Sequence, residues 1–253
     1  MRRPGVPAAA LMAGAVVATV LVGVRVVGTW QDRAVVSPAS TRPTAGPGAG
    51  RAGSRVEALG VLKVTGSAEI ALTFDDGPHA TWTPKILDLL RSQRVKATFC
   101  LIGTQVRKNP ALVVRIVREG HALCNHSWNH DRALGTRPVA EIRADLLRTN
   151  AEIRRAVPGA LIKFFRQPYG RWTPASVAVA RQLGMEPLGW DVDPGDWEKP
   201  AAAVIRQRVV TGVRPGSIVL LHDGGGDRAQ TLAACRALLI ELRPRFRLGT
   251  MRP

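Results

Sequence analysis

The strongest chemical signal in this chain comes from two short segments. They are Thr73-Phe74-Asp75-Asp76-Gly77-Pro78 and, further on, His126-Ser127-Trp128-Asn129-His130. Two imidazoles and one carboxylate can hold a divalent metal and leave coordination positions free for water and substrate, which marks a catalytic rather than a structural site. Adjacent ionised carboxylates repel one another unless a cation compensates them. Consecutive side chains at the end of a strand point in different directions, so one Asp can bind metal while its neighbour faces substrate. The two His, at i and i+4, are expected on one face of a helical turn, with ring nitrogens able to reach zinc at about 2.0–2.1 Å. Taken singly the segments say less, since Asp-Asp-Gly-Pro is also a good turn and a lone His is more often a surface or capping residue. Together they point to metal-assisted hydrolysis.

Such residues need a scaffold that brings separate segments to one place. Short apolar runs alternate with amphipathic stretches from about residue 61 onward. Strands are expected at Ile70 to Phe74, Ala97 to Ile102 (ended by Gly103), His121 to Asn125, Lys163 to Phe165, Met185 to Trp190 and Ser217 to Leu221, with a last strand-like run at Phe246 to Thr250. Helices are expected at Pro84 to Arg94, Pro110 to Val117, Pro138 to Ala156 and Pro174 to Leu183, several opened by Pro in the first turn. Repeated strand-then-helix units imply a parallel sheet covered by helices. Because each polar motif follows a strand, the fold class is read as α/β, an irregular (β/α) barrel of about seven parallel strands with its site at the strands' C-terminal ends. The end at Pro253 follows the last strand closely, so a shortened barrel with one side of the groove open is expected.

The chain has 253 residues, 45% hydrophobic, and a net charge of +17, and seven of its Arg fall within the first 55 positions. That length and composition suit one globular body behind an N-terminal tail. The basic balance favours anionic surfaces, but nucleic acid is not expected, because no recognition motif is present and the Arg are not interleaved with stacking aromatics. Arg2 and Arg3 precede an uncharged stretch, Pro4 to Val24, that has the form of an export signal and is long enough to span a bilayer. Residues 1–31 are therefore read as a signal peptide or signal anchor, 32–60 as a flexible Pro/Gly/Ala-rich tether, and 61–253 as the folded domain. Cys100, Cys124 and Cys235 make no disulfide framework. Cys100 and Cys124 read as small core residues, and a pair between them needs an oxidising compartment.

Three further segments extend the pattern: Phe165-Arg166-Gln167-Pro168-Tyr169-Gly170, Asp193-Pro194-Gly195-Asp196-Trp197 and Leu220-Leu221-His222-Asp223. With the first two, in this order over roughly residues 68 to 250, the chain resembles the polysaccharide deacetylase (NodB-homology) family, a carbohydrate esterase family. The resemblance implies Asp75 as catalytic base, Asp76, His126 and His130 as ligands of one divalent metal, usually zinc, and His222 as general acid. It also implies Asp196 as the partner that keeps His222 protonated, with Asp193 as the alternative, and Arg166 as the residue that orients Asp75. Tyr169 would supply a backbone N–H to the oxyanion, while Trp197 and Leu220 would wall the groove. Without the other segments, Arg166, Asp196 and His222 would read as an ordinary ion pair or cap. Position 167, where many family members carry Pro or another residue, is Gln here.

The resemblance implies an activity: removal of N-acetyl groups from N-acetylglucosamine units of a β-1,4-linked glycan. Peptidoglycan ranks first, chitin oligosaccharides next, and the protein would act outside the cytoplasm as a monomer held at the membrane or secreted. O-deacetylation of acetylated xylan and a non-catalytic glycan-binding module are the alternatives. Gly224-Gly225-Gly226 is not a phosphate loop, lacking its spacing and Lys, and is read as a tight bend past the site. His79 and His121 are read as neighbours of the motifs, with His79 a candidate for the groove lining.

Overall fold

The computed structural model describes residues 59–252. The expected export segment and nearly all of the tether lie outside the described residues. Among the described residues no helix is long and apolar enough to cross a membrane.

The apolar runs form the strands β1 (Ile70–Gly77), β2 (Thr98–Leu101), β3 (Ala122–Asn125), β4 (Ile162–Phe165), β5 (Glu186–Pro187), β6 (Ile218–His222) and β7 (Leu248–Gly249). They lie in one seven-stranded sheet in the order β5-β4-β3-β2-β1-β6, with β7 paired to the start of β1, and every strand pair is parallel. Between them run α1 (Trp82–Ser92), α2 (Gly103–Lys108), α3 (Pro110–Arg118), α4 (Val139–Ala156), α5 (Pro174–Gln182), α6 (Ala202–Gly212) and α7 (Ala229–Leu242). The expected barrel is therefore what the chain forms. α2 was not expected, because Gly103 looked like a stop; its amide instead bonds to the Ser127 carbonyl as the helix opens.

The expected strand over Met185 to Trp190 is correct in place but not in kind. Only Glu186 and Pro187 pair with β4, after which the chain crosses the barrel mouth. Leu188 N–H still donates to Phe165, whereas Asp191 and Val192 N–H donate to Ile218 on β6. One short run thus pairs with β4 at its start and β6 at its end, closing the barrel irregularly where a regular strand could pair with only one edge.

Two apolar layers hold this arrangement. The larger packs Phe74, Phe99, Leu101 and Phe165 of the sheet under Ile86, Ile116, Leu146 and Leu238 of the helices. The smaller fills the barrel interior with Ala71, Cys100, Cys124, Phe164, Leu188, Ile218 and Met251. Strands buried on both faces need near-continuous apolar sequence, which is how β1 and β6 read. Cys100 and Cys124, directly opposite in register on β2 and β3, are joined by a disulfide inside this layer, while Cys235 is free and buried.

The bend after β6 passes so close to the end of β1 that only glycine fits. A Cβ at Gly224 would sit 2.1 Å from the Asp76 carbonyl oxygen, and neither group can swing aside because both are backbone. Gly224→Ala is expected to destabilise the fold by about 1–3 kcal/mol, the usual range for overpacking, and to weaken metal binding by displacing Asp76. Thermal unfolding and zinc titration of the variant check this; a melting temperature and zinc affinity equal to the parent's would refute it.

Candidate active site

Register explains why residues far apart in sequence meet. Asp75 lies opposite His222 across β1 and β6, so both side chains leave the same face of the sheet, toward the barrel interior. β3 ends at Asn125 and β4 at Phe165, which delivers His126 and Arg166 to the same level. Around a cavity of about 470 Å³ at the C-terminal ends of the strands stand Asp75, Asp76, His126, His130, Tyr169, Trp197, Leu220 and His222. All ten residues singled out from sequence meet here; of these only Arg166 and Asp196 are set behind the cavity wall.

The His pair is not on a helical turn. Residues 126–130 form an irregular bend in which Ser127 and His130 take φ of 67° and 61°, a left-handed backbone that L-residues rarely adopt. Asp76 (φ 71°) and Tyr169 (φ 58°) are held the same way. The Ser127 hydroxyl accepts from the His130 N–H, and Asn125 accepts from the Ser127 N–H, so side chains of the bend itself sustain its shape. Such strain persists only where surrounding contacts over-determine it.

In that bend, His126 Nε2 lies 3.5 Å and His130 Nε2 3.4 Å from Asp76 Oδ1. One ligand atom from each of these three residues falls within 4.8 Å of the others. Asp76 Oδ1 is buried with no hydrogen-bond partner, which is costly for a carboxylate unless a cation completes it. His126 Nδ1 bonds to the Arg166 carbonyl at 2.8 Å, so Nδ1 carries the proton and the Nε2 lone pair is left for a metal. The donor set of two imidazoles and one carboxylate fits a divalent ion.

Electrostatics separates the carboxylates. For Asp76, burial raises the pKa, but the close approach and charge of His126, then the charges of His222 and His130, outweigh it and lower the pKa well below the usual carboxylate range. Asp75, also buried, accepts at Oδ1 from Arg166 Nη1 at 2.8 Å and keeps Oδ2 toward His126 Nε2 at 3.5 Å. Arg166 is wholly buried and also donates to Thr73 Oγ1 and to the Leu188 and Gly189 carbonyls.

Opposite Asp76, His126 and His130, His222 Nδ1 meets Asp196 Oδ1 at 2.7 Å. Asp196, not Asp193, is its partner; Asp193 instead accepts from the Gly195 N–H and lines the cavity. The remaining Asp196 oxygen accepts from the His222 N–H and from Thr231 Oγ1. Burial lowers the His222 pKa, yet the Asp196 hydrogen bond and charge, with Asp75 and Asp76 behind them, raise it to about 9. The site therefore holds a carboxylate with a free oxygen on one side and a protonated imidazole on the other, a pairing able to take one proton and give another.

The cavity wall also includes Gly225 of the expected bend, and Gln167, Trp190 and Arg228, to which sequence alone assigned no role. Trp190 ends an expected strand and could have been noticed there; Arg228 gave no signal, one Arg among thirty. His79 is not part of the wall and accepts from the Thr81 N–H. His121 accepts from the Ala97 N–H, away from the site. Trp128 is buried between the guanidiniums of Arg107 and Arg148, at 4.6 and 3.8 Å.

Comparison with known proteins finds relatives of a single family. The family model described as polysaccharide deacetylase matches residues 63–188. A chitooligosaccharide deacetylase from Bradyrhizobium sp. is 43% identical over 176 residues, 68% of this chain and 80% of that one. The crystal structure of a peptidoglycan N-acetylglucosamine deacetylase superposes with a TM-score of 0.73 at 35% identity, covering 78% of this chain and 94% of that one. A pseudoenzyme of the same esterase family from Bacillus anthracis superposes with a TM-score of 0.68 at 30% identity, over 73% of this chain and 64% of that one.

Two outcomes are expected. For His126, burial lowers the pKa but the charges of Asp75 and Asp76 raise it overall, so binding must displace a proton and zinc affinity should increase from pH 6 to pH 8. His126→Ala should cost at least ~100-fold in that affinity, and calorimetry showing neither effect refutes the ligand set. Because His222 keeps its proton up to about pH 9, the alkaline limb of the kcat profile should fall near that pH and disappear in His222→Ala.

Proposed function

This chain belongs to the polysaccharide deacetylase family, and on that premise we propose that it is a zinc-dependent N-deacetylase of peptidoglycan N-acetylglucosamine. One observation carries the catalytic half of this reading: the two proton-transfer groups, Asp75 and His222, face one cavity from neighbouring strands, each with its own buried counter-charge. Fold alone would not suffice, since a pseudoenzyme shares it.

In this mechanism Asp76, His126 and His130 would hold a divalent ion, which when bound would supply Lewis acidity and make water more acidic. Asp75 takes the proton of the attacking water at Oδ2, because Arg166 occupies Oδ1. Arg166 fixes the carboxylate's rotation through a buried, charge-assisted hydrogen bond. His222 gives the Nε2 proton to the departing amine, its other nitrogen being held by Asp196. The Tyr169 backbone N–H serves the oxyanion, a role its outlying φ suits by turning the peptide from its usual direction. Trp197, 53% exposed, and Tyr169, 58% exposed, offer ring faces to sugars on the rim.

The preference for an anionic glycan rests on the rim. Arg132 lies 5.2 Å over the Tyr169 ring, and the Lys199 ammonium would lie 3.3 Å from a Cβ on Gly226. Neither has a carboxylate partner among the described residues. An export segment at residues 1–31, signal or anchor, would deliver a monomeric enzyme to the cell wall, and the Cys100–Cys124 disulfide fits an oxidising compartment.

The test is acetate release by zinc-loaded protein from peptidoglycan, chitooligosaccharides and acetylated xylan. Release from peptidoglycan is expected to be most efficient and to fall several-fold, about threefold or more, between low and 0.5 M salt as rim charges are screened. Asp75→Asn should cost about 10²–10⁴ in kcat. Release from xylan alone, or glycan binding without turnover, defeats the proposal.

A further inference from the structure

Arg228 stands at the start of α7, buried, on the cavity wall, and no proton transfer or metal contact of the reaction uses it. Its guanidinium makes three hydrogen bonds, all to backbone carbonyls: Nε to Gly224 at 2.6 Å, Nη2 to Gly225 at 3.1 Å and Nη1 to Asp196 at 3.1 Å. No carboxylate pairs with it among the described residues, an unusual state for a buried cation.

Those three acceptors belong to opposite halves of the site. Gly224 and Gly225 form the wall beside Asp76: a Cβ on Gly224 would meet the Asp76 carbonyl at 2.1 Å, and one on Gly225 would meet Asp76 Oδ2 at 2.5 Å. The same loop is tied to the base, since Asp223 and Gly224 N–H both donate to the Asp75 carbonyl. Asp196, by contrast, carries His222. It sits in a 3-10 turn between two left-handed residues, Gly195 (φ 67°) and Lys199 (φ 61°), so its own backbone belongs to no strand or α-helix and side-chain bonds must hold it. Thr231, one turn into α7, holds its carboxylate, and Arg228 holds its carbonyl.

We propose that Arg228 is a positioning residue that holds the Asp196 turn, and through it the His222 ring, against the Gly224–Gly225 loop beside Asp76. The inference rests on the reading of His222 as the group that protonates the leaving amine. A guanidinium suits the task because its planar fork sends donors in fixed, divergent directions, whereas an ammonium directs three donors from one point. Proton transfer to the leaving group needs heavy atoms within hydrogen-bond reach, and displacement by about 1 Å can cost 10²-fold in rate. Arg228 acts on that displacement and touches no reacting atom.

The experiment uses the full-length zinc-loaded protein and compares Arg228→Lys, which keeps the charge, with Arg228→Gln. Acetate release from a chitooligosaccharide is measured against pH and normalised to folded protein by near-ultraviolet circular dichroism. In both variants kcat should fall about 10–100-fold with KM within about twofold. In Arg228→Lys the alkaline limb should also move to lower pH, because a loosened Asp196 no longer supports the His222 proton. Unchanged kcat per folded molecule, an unmoved limb in Arg228→Lys, or failure of both variants to fold overturns the proposal. No acetate release by the parent protein sinks the deacetylase reading itself, a different result from an active parent with indifferent variants.

Discussion

At the centre of the barrel one ion pair determines much of what surrounds it. The Arg166 guanidinium is wholly buried and joins β1, through Asp75 and Thr73, to the crossing run after β5, through the Leu188 and Gly189 carbonyls. Burying such a charge is expensive, and removing one partner of a buried pair typically costs about 3–5 kcal/mol because the other charge is left uncompensated. Asp75 therefore cannot readily lose its orientation without disturbing the closure of the barrel. The same crossing run that closes the mouth supplies carbonyl acceptors for the Arg166 donors that Asp75 and Thr73 do not take.

A second consequence is the way charge is divided across the cavity. Asp75 and Asp76 are neighbours in sequence, yet Arg166 serves the first and the His pair serves the second. Their mutual repulsion is thus met by separate partners, a guanidinium for one and a pair of imidazoles for the other. His222, facing both, is pushed to hold its proton by Asp196 first and by these carboxylates next. Groups whose environments drive their protonation states apart are what acid and base roles require. The left-handed backbone at Asp76, His130 and Tyr169 shows the local cost of directing so many polar groups into one space.

Legibility varied with the kind of physics involved. Strands β1 and β6 were readable because burial on both faces demands continuous apolar residues, and α4 because its polar and apolar positions recur with helical period. The helical turn expected for His126 and His130 was wrong for an identifiable reason: i, i+4 spacing implies a shared face only if the backbone is helical, and here Asn125 and Ser127 side chains hold a different bend. The run at 185–190 was misread because hydrophobicity reports burial but not which edge a backbone pairs with. α2 was missed because a glycine after a strand resembles a stop.

The sequence by itself determined the chemistry available: which residue types occur, in what order, and that the polar motifs follow apolar strands, so that a parallel sheet would gather them at one end. It also carried the family resemblance, since that is a property of ordered motifs. Only the tertiary structure decided the pairings. Asp196 rather than Asp193 reaches His222, Cys100 and Cys124 meet because β2 and β3 are in register, and Arg228 spans two loops that sequence places far apart. Hydrogen bonds and ion pairs depend on ångström-scale distance and direction, and those are set by strand register, loop backbone and packing across the whole barrel, none of which a local stretch of residues encodes.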